Sequence, residues 1–168
     1  MMAVAYLLSH EPTRELYLYD TYEGMSKPGK FDISRENKKA TEEFEIKKIS
    51  NSSSNWCNAR FDEVKHNLLK TDYDQSKLHF IKGKVEDTIP NNIPNSISIL
   101  RLDTDWYEST KHELIHLFPK LSKGGVLILD DYGFWQGAKK AVDEYFTLHN
   151  FPIFLMKVDA DCRMAIKV

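Results

Sequence analysis

Four aspartates stand where two apolar runs end. Leu100-Arg-Leu-Asp-Thr-Asp-Trp-Tyr-Glu-Ser-Thr110 places Asp103 and Asp105 just past one run, and Asp130 and Asp131 follow Val126, Leu127, Ile128 and Leu129. A hard divalent cation such as magnesium is held by a few carboxylates together with waters and substrate oxygens. An ion held in this way orients a hydroxyl and acidifies it as a Lewis acid. A single acid at a strand end is equally well explained as a cap on the following helix. Two such clusters, both inside apolar contexts, point to a site. If the first strand continues past its apolar run, Asp103 and Asp105 project to opposite faces, so one of them is the principal ligand. Asp105 lies further out and is the expected one, which gives a metal set of Asp105, Asp130 and Asp131 and makes Asp105 the expected catalytic residue. Asp103 is left to bind a cofactor or orient its neighbours. For a general base, both Asp105 and a residue of the 21–58 segment stay open.

The elements around these acids explain how they would meet. Residues 111–123 carry Leu114, Leu117, Phe118 and Leu121 at helical spacing, with Ser122-Lys-Gly-Gly125 expected to close that helix. Strand, crossover helix and parallel strand bring both strand ends to one edge of a sheet, where open α/β sheets hold ligands. Strands are expected over 15–20, 78–82, 96–103 and 126–129, and helices around 61–68 and 137–148. Residues 83–95 read as loop, and 151–158 with 163–168 as a closing antiparallel pair. Residues 3–8 read as the tail of a helix. The order is that of one doubly wound α/β domain over 168 residues. The long polar stretch 21–58, helical in part over 35–44, reads as an insertion that serves as a substrate lid.

Composition narrows the partners. A formal net charge of -2, with Lys and Arg scattered, gives no electrostatic pull towards nucleic acid or an anionic membrane. No apolar run approaches the ~20 residues of a membrane span, and the opening residues are too short for a signal peptide core. Cys57 and Cys162 lack C-x-x-C spacing, which suits a reduced, cytoplasmic protein. Asp20 ends the first expected strand in Tyr19-Asp-Thr-Tyr-Glu-Gly24. Asp20 or Glu23 could accept ribose hydroxyls there, or the segment is an Asx-type turn. Trp106, Tyr107 and Trp135 either wall a ligand pocket or stack on an adenine, or they are core. His112 and His116 share a helix face, but zinc needs further ligands and solvent-facing residues are the simpler reading. No G-x-S-x-G, H-E-x-x-H or P-loop pattern occurs, which sets magnesium-dependent phosphoryl transfer below other metal chemistry.

The chain resembles the macrocin O-methyltransferase (TylF/MycF-type) family. The resemblance is carried in order by Tyr19-Asp-Thr-Tyr-Glu-Gly24, Gly83-Lys-Val-Glu-Asp-Thr-Ile-Pro90, the segment from Leu100 to Thr110, and Pro119-Lys-Leu-Ser-Lys-Gly-Gly-Val-Leu-Ile-Leu-Asp-Asp-Tyr-Gly133. It implies a Rossmann-like class I methyltransferase sheet that depends on S-adenosylmethionine and Mg2+. A hydroxyl of a sugar-like small molecule would be the acceptor, and a homo-oligomer is a possible assembly. By the same resemblance Asp105, Asp130 and Asp131 take the metal. Asp20 with its neighbours Thr21 and Glu23 faces the cofactor ribose, and Val85 and Glu86 lie near its adenine. The family's first strand and glycine-rich loop have no counterpart here, so an N-terminally truncated domain is expected, with unpaired edges on central strands. Two readings follow: an O-methyltransferase, or an inactive remnant of that fold serving as an interaction subunit.

Overall fold

A computed structural model describes residues 10, 13–89 and 91–168, so the helix expected over 3–8 lies outside the described residues. The elements run β1 (Leu16–Asp20), α1 (Ala40–Lys47), α2 (Phe61–Leu69), β2 (Leu78–Lys82), α3 (Val85–Thr88), β3 (Ile97–Leu102), α4 (Tyr107–Leu117), β4 (Leu121–Leu129), α5 (Gln136–Leu148), β5 (Met156–Lys157) and β6 (Arg163–Ile166). β1 and β2 form a parallel pair, and the other strands form a sheet in the order β3-β4-β6-β5. β3 and β4 are parallel, while β6 runs antiparallel to both β4 and β5. This is the expected α/β architecture with an antiparallel C-terminal end.

Alternation decides which side each helix covers. Leu16 and Leu18 pack with Val64, Leu68 and Phe80 beneath α2, whereas Tyr19 turns the other way onto the main core. That core joins Leu100, Leu102, Leu127 and Leu129 to Leu114 and Leu117 of α4 and Val142 and Phe146 of α5. The packing therefore puts α2 on one side and α4 with α5 on the other, as double winding requires.

Boundaries differ from expectation where one residue overrides a pattern. The helix expected to run to Leu121 stops at Leu117, because Pro119 cannot donate the next helical hydrogen bond. A single 3-10 turn follows, and Leu121 opens β4 opposite Ile97. Ser122 to Gly125 are thus strand rather than cap, and Gly124 takes a φ of +78° beside a register shift between Ile97 and Ile99. The stretch 83–95 contains the one-turn helix α3, and the strand expected over 151–158 contracts to Met156–Lys157. Cys57 and Cys162 are free thiols. No helix among the described residues is long and apolar enough to cross a membrane.

The 21–58 segment is docked on the scaffold. Ser34 bridges Trp135, the Gln136 amide donates to the Ile33 carbonyl at 2.8 Å, and the Trp106 indole donates to the Ser26 carbonyl at 3.0 Å. Asp32, 1% exposed, accepts from the Tyr107 amide at 2.8 Å and the Gly29 amide at 2.6 Å, so it caps the start of α4. A Cβ at Gly137 would lie 2.1 Å from Asp32 Oδ1. Gly137→Ala is therefore expected to displace that carboxylate and cost about 2–3 kcal/mol. Urea unfolding checks this, and an unchanged midpoint would refute the docking role of Asp32.

Candidate active site

The C-terminal ends of β1, β2 and β3 open into one cleft. Its walls include Asp20, Thr21, Val85, Glu86, Asp103 and Asp105, with Met25, Cys57 and Trp106 facing them. Its accessible volume is about 90 Å³, and it is open to solvent on one side. Of the expected cofactor residues, Asp20, Thr21, Val85, Glu86 and Asp103 line this cleft. Glu23 does not, and pairs instead with Lys82 at 2.9 Å. Asp20 Oδ1 accepts from the Tyr22 amide at 2.5 Å, and Thr21 Oγ1 donates to the Gly24 carbonyl at 2.7 Å. The Asx turn and the cleft-lining acid are thus the same residue. Gly24 is required in that turn: its φ is +77°, and a Cβ there would lie 1.9 Å from the Ser54 carbonyl oxygen.

The parallel pairing of β3 with β4 brings the acids together. Leu102 is opposite Leu129, and the Asp130 amide donates to the Leu102 carbonyl at 3.0 Å. Asp103, Asp130 and Asp131 each offer a carboxylate oxygen, and these oxygens lie within 4.8 Å of one another. Asp105, expected in this set, is placed beside it. β3 ends at Leu102, and at Asp105 the backbone adopts a left-handed φ of +67°. This is uncommon for a residue with a Cβ and typical of functional turns. Asp105 Oδ1 accepts from the Trp135 indole at 2.9 Å, while its amide donates to Asp131 Oδ2 at 3.1 Å.

The local electrostatics are strained. Burial, then repulsion from Asp105 and Asp103, pushes Asp131 up to about 8. Burial pushes Asp103 up to about 7, against the opposing pull of Arg101 and with Asp130 and Asp105 adding repulsion. Asp105 is raised too, mainly by burial. Arg101 lies 2.9 Å from Asp103 and 3.1 Å from Asp130, a cation already bridging two of the acids.

Three further residues belong to this arrangement and were not singled out in the sequence. Arg101 interrupts an apolar strand one position before Leu102, so its alternation was a usable signal. Glu113 lies on the inward face of α4 beside Leu114 and Leu117; it is 4% exposed and accepts from Thr104 Oγ1 at 2.8 Å. An acid at a core position of a helix is also legible. Asp32, in a polar segment, carried no such signal. Trp106, Tyr107 and Trp135 are buried, Trp106 also lining the cleft, and Trp56 joins Trp106 and Trp135 edge-to-face with centroids 5.1–6.0 Å apart. His112 and His116 are half-buried with rings 4.3 Å apart, rather than facing solvent.

A comparison with known proteins agrees with this architecture. The macrocin-O-methyltransferase (TylF) family model matches residues 1–166. The chain is 37% identical over 100 residues to the demethyldecarbamoylnovobiocin O-methyltransferase of Streptomyces niveus, covering 60% of this chain and 38% of that protein. It is 28% identical over 142 residues to the 8-demethyl-8-(2,3-dimethoxy-alpha-L-rhamnosyl)-tetracenomycin-C 4'-O-methyltransferase of Streptomyces olivaceus, covering 84% of this chain and 51% of that protein. The chain thus spans about half or less of the length of these curated relatives. The structure of the O-methyltransferase NovP superposes with a TM-score of 0.83 at 26% identity, over 99% of this chain and 66% of that one. The chain belongs to the macrocin-O-methyltransferase (TylF) family.

Proposed function

We propose that this protein is an S-adenosylmethionine-dependent O-methyltransferase that uses Mg2+ and methylates a hydroxyl of a sugar-like small molecule. The observation that carries this reading is the convergence of the Asp130 and Asp131 carboxylates with that of Asp103, which lines the same cleft as Asp20, Thr21, Val85 and Glu86. Family membership supports the reaction class, and the names of the relatives, one of them specifying a rhamnosyl-bearing substrate, support a sugar acceptor.

The donor set fits a hard cation. Three carboxylates lie close enough to share an ion, and their mutual repulsion is relieved by positive charge. Asp103, Asp130 and Asp131 would hold it, and when bound it supplies charge stabilisation to an ionising acceptor oxygen. Asp105 is then free to act as the base. Its second oxygen is not engaged by Trp135, and burial raises its proton affinity. When bound, S-adenosylmethionine would supply the methyl group, and Asp105 would take the proton of the acceptor hydroxyl. Asp20 and Thr21 would hold the cofactor ribose, and Val85 with Glu86 the adenine end. Residues 21–58, which place Met25 and Cys57 on the cleft, would cover the acceptor.

Calorimetry with S-adenosylmethionine should give saturable binding that Asp20→Ala weakens about 10-fold or more, as loss of a charge-assisted hydrogen bond implies. With a rhamnosyl acceptor and Mg2+, Asp105→Asn should lower methyl transfer by roughly 100- to 10,000-fold while ion binding persists. Absence of saturable heat from the unmodified chain would overturn the reading in favour of an inactive remnant.

A further inference from the structure

A closed circuit of hydrogen bonds surrounds Asp105. Its amide donates to Asp131 Oδ2 at 3.1 Å, the Trp135 amide donates to the Asp131 carbonyl at 3.0 Å, and the Trp135 indole returns to Asp105 Oδ1 at 2.9 Å. Trp135 stands immediately before α5 and is buried, and a buried indole N–H requires an acceptor. Asp105 lies between β3 and α4 at its left-handed φ, where no strand ladder or helix fixes its direction. The circuit supplies that direction. The indole is held in turn by other rings. Trp56, from the 21–58 segment, meets Trp135 edge-to-face at 6.0 Å and Trp106 at 5.6 Å, and Phe134 meets Trp135 at 4.9 Å. The Trp56 carbonyl accepts from the Met25 amide at 2.9 Å, and the Trp106 indole donates to the Ser26 carbonyl. Both of these anchors belong to the same 21–58 segment.

We propose that Trp135 is a positioning residue for Asp105, and that Trp56 makes this positioning depend on the docking of the 21–58 segment. The proposal rests on the reading of Asp105 as the base and names what aims it. A base takes a proton only from within hydrogen-bonding reach. The indole occupies one carboxylate oxygen of Asp105 and leaves the other for the acceptor hydroxyl. Charge-assisted hydrogen bonds are strong and short, so this one selects a single setting of the carboxylate. Ring pairs also have preferred geometries. A displaced Trp56 therefore lets the indole tilt, and the tilt passes to Asp105. Undocking the segment slackens the base and docking restores it, so proton transfer is favoured only when the cleft is covered. Core packing alone asks for less: a phenylalanine at this position fills ring space but has no N–H to give.

The chain has three tryptophans, so their indole nitrogen–proton magnetic resonances give a clean readout that needs no cofactor or acceptor. The Trp135 signal, identified by its loss in Trp135→Phe, should move upfield when Asp105→Asn replaces a charged acceptor by a neutral one. It should move in Trp56→Ala as well, and much less in Trp56→Phe, which keeps an edge-to-face ring. With S-adenosylmethionine, Mg2+ and a rhamnosyl acceptor, Trp135→Phe should lower kcat by roughly 100-fold, the cost of a group misplaced by ~1 Å. Both KM values and Mn2+ occupancy should stay at the level of the unmodified chain. Trp56→Ala should lower kcat by a smaller factor, most of which Trp56→Phe recovers. A Trp135 signal indifferent to Asp105→Asn, or an unchanged kcat in Trp135→Phe, overturns the positioning role. A fall in kcat accompanied by raised KM values or lost Mn2+ marks a structural role and also overturns it. A Trp135 signal and a kcat that both ignore Trp56→Ala overturn the link to the segment. An unmodified chain that transfers no methyl group overturns the functional reading, and the resonances still decide whether Trp135 holds Asp105.

Discussion

Asp131→Asn is expected to weaken Mg2+ binding by roughly 100-fold or more, since even supporting residues of metal sites are worth 10- to 100-fold. The pH dependence is the sharper part. Asp131 is pushed up to about 8 and Asp103 to about 7, chiefly by partial desolvation of both, with acidic neighbours adding to the rise and Arg101 opposing it at Asp103. A cation must displace protons from both, so affinity should fall as pH drops from 8 to 6, with protons released on binding. Removing Asp131 removes one competing proton, and the slope should become shallower. Calorimetry in two buffers of different ionisation enthalpy measures both quantities. An affinity that is flat across this range would mean that these carboxylates do not take the ion.

Glu113→Gln is expected to stabilise the protein at alkaline pH. Burial holds Glu113 at about 8 against an ordinary 4.5, with Glu86, Asp103 and Asp105 adding repulsion and the Thr104 hydrogen bond opposing the rise. Between those two values the folded state retains a proton that the unfolded state has lost. Stability from this group is therefore full below about 4.5, declines as pH rises, and is gone above about 8. A shift of this size is worth a few kcal/mol, to order of magnitude. Gln is neutral at every pH and can still accept the Thr104 hydroxyl, so its unfolding free energy should not show that decline. At pH 8.5 the variant should melt several degrees higher than the wild type, and at pH 4.5 about level with it. Parallel pH profiles would contradict the assignment of Glu113 as a neutral support beneath the Asp103–Asp105 turn.

How much of this could be read in advance depends on the range of the interactions. The Val126–Leu129 run, the α4 periodicity and the order of elements are local patterns, and they placed β3 and β4 side by side with acids at one end. The convergence of Asp130 and Asp131 with the Asp103–Asp105 segment followed from that topology alone. Which of Asp103 and Asp105 joins the pair did not. That depends on a left-handed turn at Asp105 and on the Trp135 indole, 30 residues away. The fastening of 21–58 by Asp32 rests likewise on a contact 75 residues apart, to the Tyr107 amide.

The most direct measurement is an electron paramagnetic resonance titration with Mn2+, a paramagnetic stand-in for Mg2+, on the unmodified chain and on Asp103→Asn at pH 8. One ion should bind per chain and be lost with Asp103, because two strand termini supply its oxygens jointly. Free aqueous manganese throughout, or occupancy indifferent to Asp103, would contradict a shared cation at this rim.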